Sequence, residues 1–258
     1  MLEEKRYTKK IYYRNQYLRS LDTKITKIGD GYLEIDETIA YPEGGGQESD
    51  TGSIQTSAGT LRYVSAQLLH GLPLHIEGFK GGKSGGIVAH YVHSDDMHML
   101  TQLRSGAAVT VCIDVERRQK LTLSHSASHF LYAAALAIRP ELIDYTIGCH
   151  IKEEGARFDF LVDTPFTANE IIRVEQHTNE IMAHRDPIFI DVHSEIADAR
   201  TWRYQDIHIP CGGTHLSSPE AIGKIRVTRK KLGKNKERLM CTYQNSSIDI
   251  SQYHHMQP

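Results

Sequence analysis

The sequence is poor in cysteine and has no long apolar run. Its 258 residues include four cysteines, Cys112, Cys149, Cys211 and Cys241. They are too few and too scattered to staple a chain of this size, which excludes a disulfide-built scaffold. No window approaches the ~20 apolar residues that a bilayer-spanning helix needs. The opening MLEEKRYTKK also lacks the apolar core of a signal peptide. The expectation is a cytoplasmic protein with no membrane partner. An excess of one charge is missing too: 30 basic and 32 acidic residues leave a net −2, so overall charge does not draw this chain to nucleic acid. Hydrophobic residues at 40% and charged residues at 24% suit a globular chain that buries a core. Cys112 and Cys149 sit in apolar surroundings and read as buried thiols, whereas Cys211 is flanked by Pro210 and two glycines.

The even balance hides one local excess. From Lys224 to Arg238 the chain carries eight lysines and arginines against a single acid, Glu237. Such a run reads either as a solvated hairpin tip or as a patch that contacts phosphates, with Lys230, Lys231 and Lys234 at its centre.

The first ~115 residues alternate with the two-residue period of strands. Asp30-Gly31 is a hairpin dipeptide ahead of YLEIDETIAY, glycine-rich breaks follow at 44–46 and 81–86, and VTVCIDVERR (109–118) reads as a further strand. Beyond residue 118 the texture changes. Residues 121–139 read as a helix that Thr122 or Ser124 can cap and Pro140 stops. GARFDFLVD alternates as a strand, Thr167 and Glu170 form a capping box for an amphipathic helix, and IFIDVH is strand-like. KIRVTR and ERLMCTY read as a closing hairpin around a longer loop, KLGKNK. The fold class is therefore α+β: a small β-barrel-like domain over 1–118, then an α/β-sandwich domain over 119–258.

His125 and His129 stand four apart in the predicted helix, so both imidazoles can face one point. Taken alone the pair is better explained as core histidines among the chain's 15. Position 126 is Ser, where a zincin-type protease carries its Glu, so that chemistry lacks its general base. Cys211 and His215 are again four apart, around Gly212-Gly213, which permit a tight turn. Together the two pairs make a zinc-like ligand set, closed if all four bind and open if one yields to water or substrate.

The Gly44-Gly45-Gly46-Gln47 stretch is not a phosphate-binding Walker loop, because no Lys-Ser or Lys-Thr follows it and Glu48 and Asp50 do. Its Gly-Gly-Gln tripeptide occurs in class I release factors, but there the flanks are basic. A tight turn joining two strands near the cleft is the favoured reading.

HSASH (125–129) followed by CGGTH (211–215) resembles the editing domain of alanyl-tRNA synthetase and its free-standing AlaX relatives, whose first motif usually reads HTxTH or HTALH. YPEGGGQESDTG (41–52) resembles that family's glycine-rich segment, and ARFDF (156–160) falls where the family has a similar strand. The resemblance runs from about residue 38 to about residue 240. It implies a hydrolase that deacylates mischarged Ser-tRNA(Ala), and in many members Gly-tRNA(Ala), while sparing Ala-tRNA(Ala). It implies one Zn2+ on His125, His129, Cys211 and His215. It places Thr214, Ser126 and Thr146 among the catalytic and pocket residues, with Ser128 and Cys149 beside them. Gly44, Gly45, Gly46 and Gln47 become a domain-interface loop shaping substrate entry. Lys230, Lys231 and Lys234 become tRNA contacts, with no nucleotide cofactor required. A chain too short for an aminoacylation domain would then act in trans. Ser126 and Ser128 depart from the family's threonines, and Thr146-Ile147-Gly148-Cys149 departs from its Gln-x-Gly-Ser. Two alternatives are an editing-like domain with another aminoacyl-tRNA preference and a non-catalytic, zinc-stabilised RNA-binding protein.

Overall fold

The computed structural model describes residues 7–79 and 82–255; the first six residues of the opening segment and Gly81 of the second glycine break lie outside them. Six strands close a barrel: β1 (Leu18–Ile28), β2 (Tyr32–Ile35), β3 (Gly52–Thr56), β4 (Gly59–Leu69), β5 (Ile87–Val92) and β6 (Ala108–Ile113). Their spatial order is β6-β3-β4-β5-β2-β1, and β6 pairs antiparallel with β1 to complete the circuit. Alternation decides which side chains fill it. Along β6, Val109, Val111 and Ile113 point inward and are buried, whereas Ala108, Thr110 and Cys112 face outward. Cys112 is therefore half-buried on the outer face and not the buried thiol expected from its apolar neighbours; Cys149 is half-buried as well, and Cys241 is the buried cysteine.

The segment read as one strand to residue 118 changes structure at Asp114. Its carboxylate accepts hydrogen bonds from the amides of Glu116 and Arg117, both at 3.1 Å. That cap, which contributes about 1 kcal/mol, starts helix α1 (Val115–Ile138) well before the expected residue 121. Thr122 and Ser124 lie inside the helix and do not cap it. At the far end α1 stops two residues before Pro140.

After α1 come β7 (Thr146–Lys152), β8 (Gly155–Leu161), helix α2 (Ala168–Ala183), the three-stranded antiparallel sheet β9 (Phe189–Val192), β10 (Arg200–Tyr204) and β11 (Ile207–Pro210), and the hairpin β12 (Lys224–Gly233) and β13 (Lys236–Gln244). A short strand, β14 (His254–His255), returns to pair with β1. The four-stranded sheet has the order β7-β8-β13-β12. The capping box at Thr167 and Glu170 forms reciprocally, as the sequence indicates. The expected loop KLGKNK does not form. Strand pairing continues through it to Gly233–Lys236, and Lys234-Asn235 alone make the turn, with Asn235 at φ 55°. Asparagine tolerates that left-handed conformation, so both strands can extend to the turn.

Two hydrophobic cores result. One fills the barrel around Leu33, Ile54, Leu61 and Val111. The other lies between α1, α2 and the sheets, around Leu123, Phe130, Phe160, Trp202 and Leu239. Phe130 is fully buried, and a phenylalanine so placed stabilises the fold by roughly 2–3 kcal/mol. No helix among the described residues is long and apolar enough to cross a membrane.

Candidate metal centre

One face of α1 carries Thr122, His125, Ser126 and His129, all buried. That face meets the turn after β11, which begins at Cys211, where the Cys211 amide donates to the Arg200 carbonyl at 2.8 Å. The turn can press onto the helix only because residue 213 is glycine: a Cβ there would overlap the His125 ring. His125, His129, Cys211 and His215 converge, each offering a ligand atom, and these atoms lie within 4.8 Å of one another. His125 Nε2 stands 3.4 Å and His215 Nε2 3.2 Å from Cys211 Sγ. Separations of about 3.5 Å are what nitrogen and sulfur ligands show around one tetrahedral ion.

The donor chemistry fits a metal ion. Burial lowers the pKa of His125 to about 3 and holds His129 and His215 well below the ordinary histidine value, so all three imidazoles are neutral with lone pairs available. Burial also pushes the Cys211 thiol up to about 12; a bound cation reverses that cost by favouring the thiolate. His129 Nδ1 is buried without a hydrogen-bond partner among the described residues, and its ring stacks on Trp202, with centroids 4.9 Å apart. The four residues can therefore hold a metal ion.

The hydroxyls expected to be catalytic are engaged in internal bonds. Ser126 Oγ donates to the Thr122 carbonyl at 2.9 Å and accepts from the Leu216 amide at 2.9 Å. Thr214 is buried, and its Oγ1 accepts from Gln47 Nε2 at 3.1 Å and from Thr122 Oγ1 at 2.8 Å. Thr146 Oγ1 donates to the Leu142 carbonyl at 2.7 Å and lies 3.2 Å from the Tyr132 hydroxyl. Ser128 donates to the His125 carbonyl at 2.7 Å.

The glycine-rich stretch forms a tight turn, in which Gly44 and Gln47 exchange backbone hydrogen bonds at 3.1 and 3.0 Å. Gly46 has φ 85°, and a Cβ there would strike Cys149 Sγ. The turn docks on the edge of β7, where the Ile151 amide donates to the Gly46 carbonyl at 2.8 Å. Gly44 and Gly45 line a cavity of about 360 Å³ that Cys211, Tyr13, Tyr41 and Arg200 also line. Gln47 is wholly buried, so it cannot touch a substrate at the surface; it bonds to His125 and Thr214 instead.

On the basic hairpin, three of the eight cations are neutralised by acids. Arg226 pairs with Glu175 (3.1 Å), Arg229 with Glu237 of the same hairpin (2.9 Å) and Arg238 with Asp159 (2.6 Å). Lys230, Lys231 and Lys234 are exposed, and among the described residues no carboxylate pairs with them.

Three contributors to the centre escaped the sequence reading: Gln16, which bonds the backbone of His215; Trp202, under His129; and Thr122, which bonds Thr214. No local spacing announces them, since each meets its partner across at least 73 residues.

No protein-family model matches the chain. An alanine–tRNA ligase of Ignicoccus hospitalis is 29% identical over 245 residues, covering 86% of this chain and 24% of the ligase. The chain is similar to part of the alanine–tRNA ligases. The enzyme of Sulfurisphaera tokodaii is 29% identical over 240 residues, covering 85% of this chain and 24% of the ligase. That of Saccharolobus islandicus is 27% identical over 239 residues, covering 85% and 25%. The chain thus spans about a quarter of the length of the curated ligases it matches.

Proposed function

We propose that this chain hydrolyses the ester of mischarged alanine tRNA, releasing serine, and glycine where it is misattached, at a centre that holds one zinc ion. The observation that carries the reading is the convergence of His125, His129, Cys211 and His215, of which Cys211 lines the cavity, in a relative of the alanine–tRNA ligases.

In such a reaction water adds to the ester carbonyl, the bond from that carbon to the ribose oxygen breaks, and the ribose oxygen takes up a proton. Zinc bound by the four side chains would supply positive charge that anchors the aminoacyl end and favours negative charge developing on its oxygen. The protein's own part is positional. Burial keeps three imidazoles neutral and able to coordinate. Gly44 and Gly45 bring bare backbone to the rim of the cavity, allowing a terminal ribose to approach closely. Arg200 stands in the same wall with its Nε buried and without a hydrogen-bond partner among the described residues. On this reading Ser126 and Thr214 set the position of the ligand-bearing turn and Thr146 is likewise positional, because their hydroxyls are already bonded; Cys149, which carries no hydroxyl, is the pocket candidate that remains. A pocket that bonds the seryl hydroxyl disfavours alanine, which would leave those polar groups unpaired. Lys230, Lys231 and Lys234 contact the tRNA backbone.

The same reading divides the chain into 1–118 and 119–258. The two cores support that division, apart from Tyr253, which packs in the barrel core.

The test is to follow ester loss from Ser-, Gly- and Ala-tRNA(Ala) with zinc-loaded protein and with Cys211→Ala. We expect loss of the seryl ester with the parent protein and at least a hundredfold slower loss with the variant. If zinc-loaded parent protein leaves Ser-tRNA(Ala) intact, the hydrolytic reading fails. Binding of tRNA without deacylation would favour a zinc-stabilised RNA-binding protein.

A further inference from the structure

We infer that Gln47, delivered by the barrel-side glycine turn, is the positioning residue of the metal centre, fixing which nitrogen of His125 faces the ion; Gln16 assists by clamping the backbone of His215. The inference rests on the four-residue metal site of the proposed function and is independent of what that site hydrolyses.

The argument begins with a donor whose role is unambiguous. The Thr214 backbone amide can only donate, and it points at Gln47 with N–O 3.1 Å. The atom it meets must therefore be the glutamine oxygen, Oε1, and the other end of the amide must be Nε2. That end donates to Thr214 Oγ1 at 3.1 Å, which agrees with the same orientation. Once Oε1 is fixed as an acceptor, its 2.7 Å bond to His125 Nδ1 requires that this nitrogen carry the proton. Nε2 of His125 is left with the lone pair, and Nε2 is the atom 3.4 Å from Cys211 Sγ. One buried side chain thus selects the tautomer and the ring orientation that a metal ligand needs.

Gln16 acts on the opposite ligand. Its Oε1 accepts from the His215 amide at 3.2 Å, and its Nε2 donates to the His215 carbonyl at 2.6 Å, an exchange like that between paired strands. Its own carbonyl accepts from Arg118 at 2.8 Å, which ties the clamp to α1. Two glutamines outside the ligand set therefore hold consecutive residues of the turn, Thr214 and His215, and one holds a ligand ring as well. The GGGQ turn is required because Gln47 must leave the barrel and enter the gap between α1 and the CGGTH turn.

The experiment measures zinc affinity by competition with a chromophoric chelator, on full-length parent protein, Gln47→Leu, Gln47→Glu and Gln16→Ala, with no tRNA present. Each is also melted with and without zinc. Losing an orienting partner of a ligand histidine weakens binding by roughly 10–100-fold, and that is the expectation for Gln47→Leu. Gln47→Glu should retain affinity within a few fold, because a carboxylate still accepts from both His125 and Thr214. Gln16→Ala should fall between them. The metal-free melting temperature of Gln47→Leu should change less than the stabilisation zinc confers on it. Unchanged zinc affinity in Gln47→Leu would overturn the inference, as would equal losses in the Leu and Glu variants, which mark a packing role alone. Failure of the parent protein to bind zinc would overturn it too, whereas failure to deacylate tRNA would leave it standing.

Discussion

Arg118 and Asp50 form an ion pair from which water is excluded: their side chains are 0% and 1% exposed, and Arg118 Nε stands 3.0 and 3.1 Å from the two Asp50 oxygens. Arg118 lies in the first turns of α1, and Asp50 closes the segment that begins with the glycine turn. The same guanidinium donates to the carbonyls of Gln16 and Ile39, and Asp50 accepts from the Tyr41 amide at 2.6 Å. The acids after GGGQ, which no phosphate site would tolerate, thus join barrel to helix: Glu48 likewise bonds Arg117 at 3.0 Å.

Removing one partner leaves an uncompensated buried charge. Asp50→Ala is expected to lower unfolding free energy by about 3–5 kcal/mol, measured by urea denaturation. Replacing both residues with leucine should cost less than replacing Asp50 alone, since no charge is then stranded. A double variant as unstable as the sum of the single ones would show that packing, and not the pair, holds this junction.

His90 sits in the barrel with no exposure, its Nε2 2.9 Å from Thr38 Oγ1 and its Nδ1 3.3 Å from the Leu33 carbonyl. Burial lowers its pKa to about 4 from an ordinary 6.5. Below 6.5 the unfolded chain binds a proton there that the folded chain refuses until about pH 4, so stability rises with pH across that window. The contribution is complete above the unfolded value and is lost as pH falls toward the folded one, by up to about 3 kcal/mol. The expected observation is that His90→Gln flattens the stability curve between pH 5 and 7 relative to the parent. Parallel curves would refute it.

Among the described residues no carboxylate pairs with Lys230, Lys231 or Lys234, unlike three arginines of the same hairpin. Replacing all three with alanine should weaken tRNA binding and reduce the slope of log affinity against log salt by about 0.9 for each phosphate no longer neutralised. Folding should be unaffected, because these side chains are exposed. Unchanged affinity across salt concentrations would reduce the patch to a solvated hairpin.

Much of the centre was legible along the chain because the four side chains that can hold a metal ion come in local pairs. Positions four apart on a helix share a face, and two glycines let a thiol and an imidazole four apart turn back on each other, so His125, His129, Cys211 and His215 could be named from spacing. The α+β class and the barrel were legible from periodicity. What misled was local as well. Asp114 capped a helix that β-like VERR concealed, and alternation in β6 turned Cys112 outward despite its apolar neighbours.

The sequence alone determined the α+β class, the four side chains that can hold a metal ion and the turn that carries two of them, since these depend on backbone periodicity within a few residues. Tertiary structure alone decided that Gln47 orients His125, that Gln16 clamps His215, that Trp202 supports His129, and that Asp50 neutralises Arg118. It also decided that three arginines of the basic run were already paired, whereas among the described residues no carboxylate pairs with Lys230, Lys231 or Lys234. Apart from Arg229 and Glu237, which share the hairpin, those contacts join residues between 51 and 199 positions apart, where no repeat of helix or strand relates one partner to the other. Only the packing of barrel against helix and turn brings them within bonding distance.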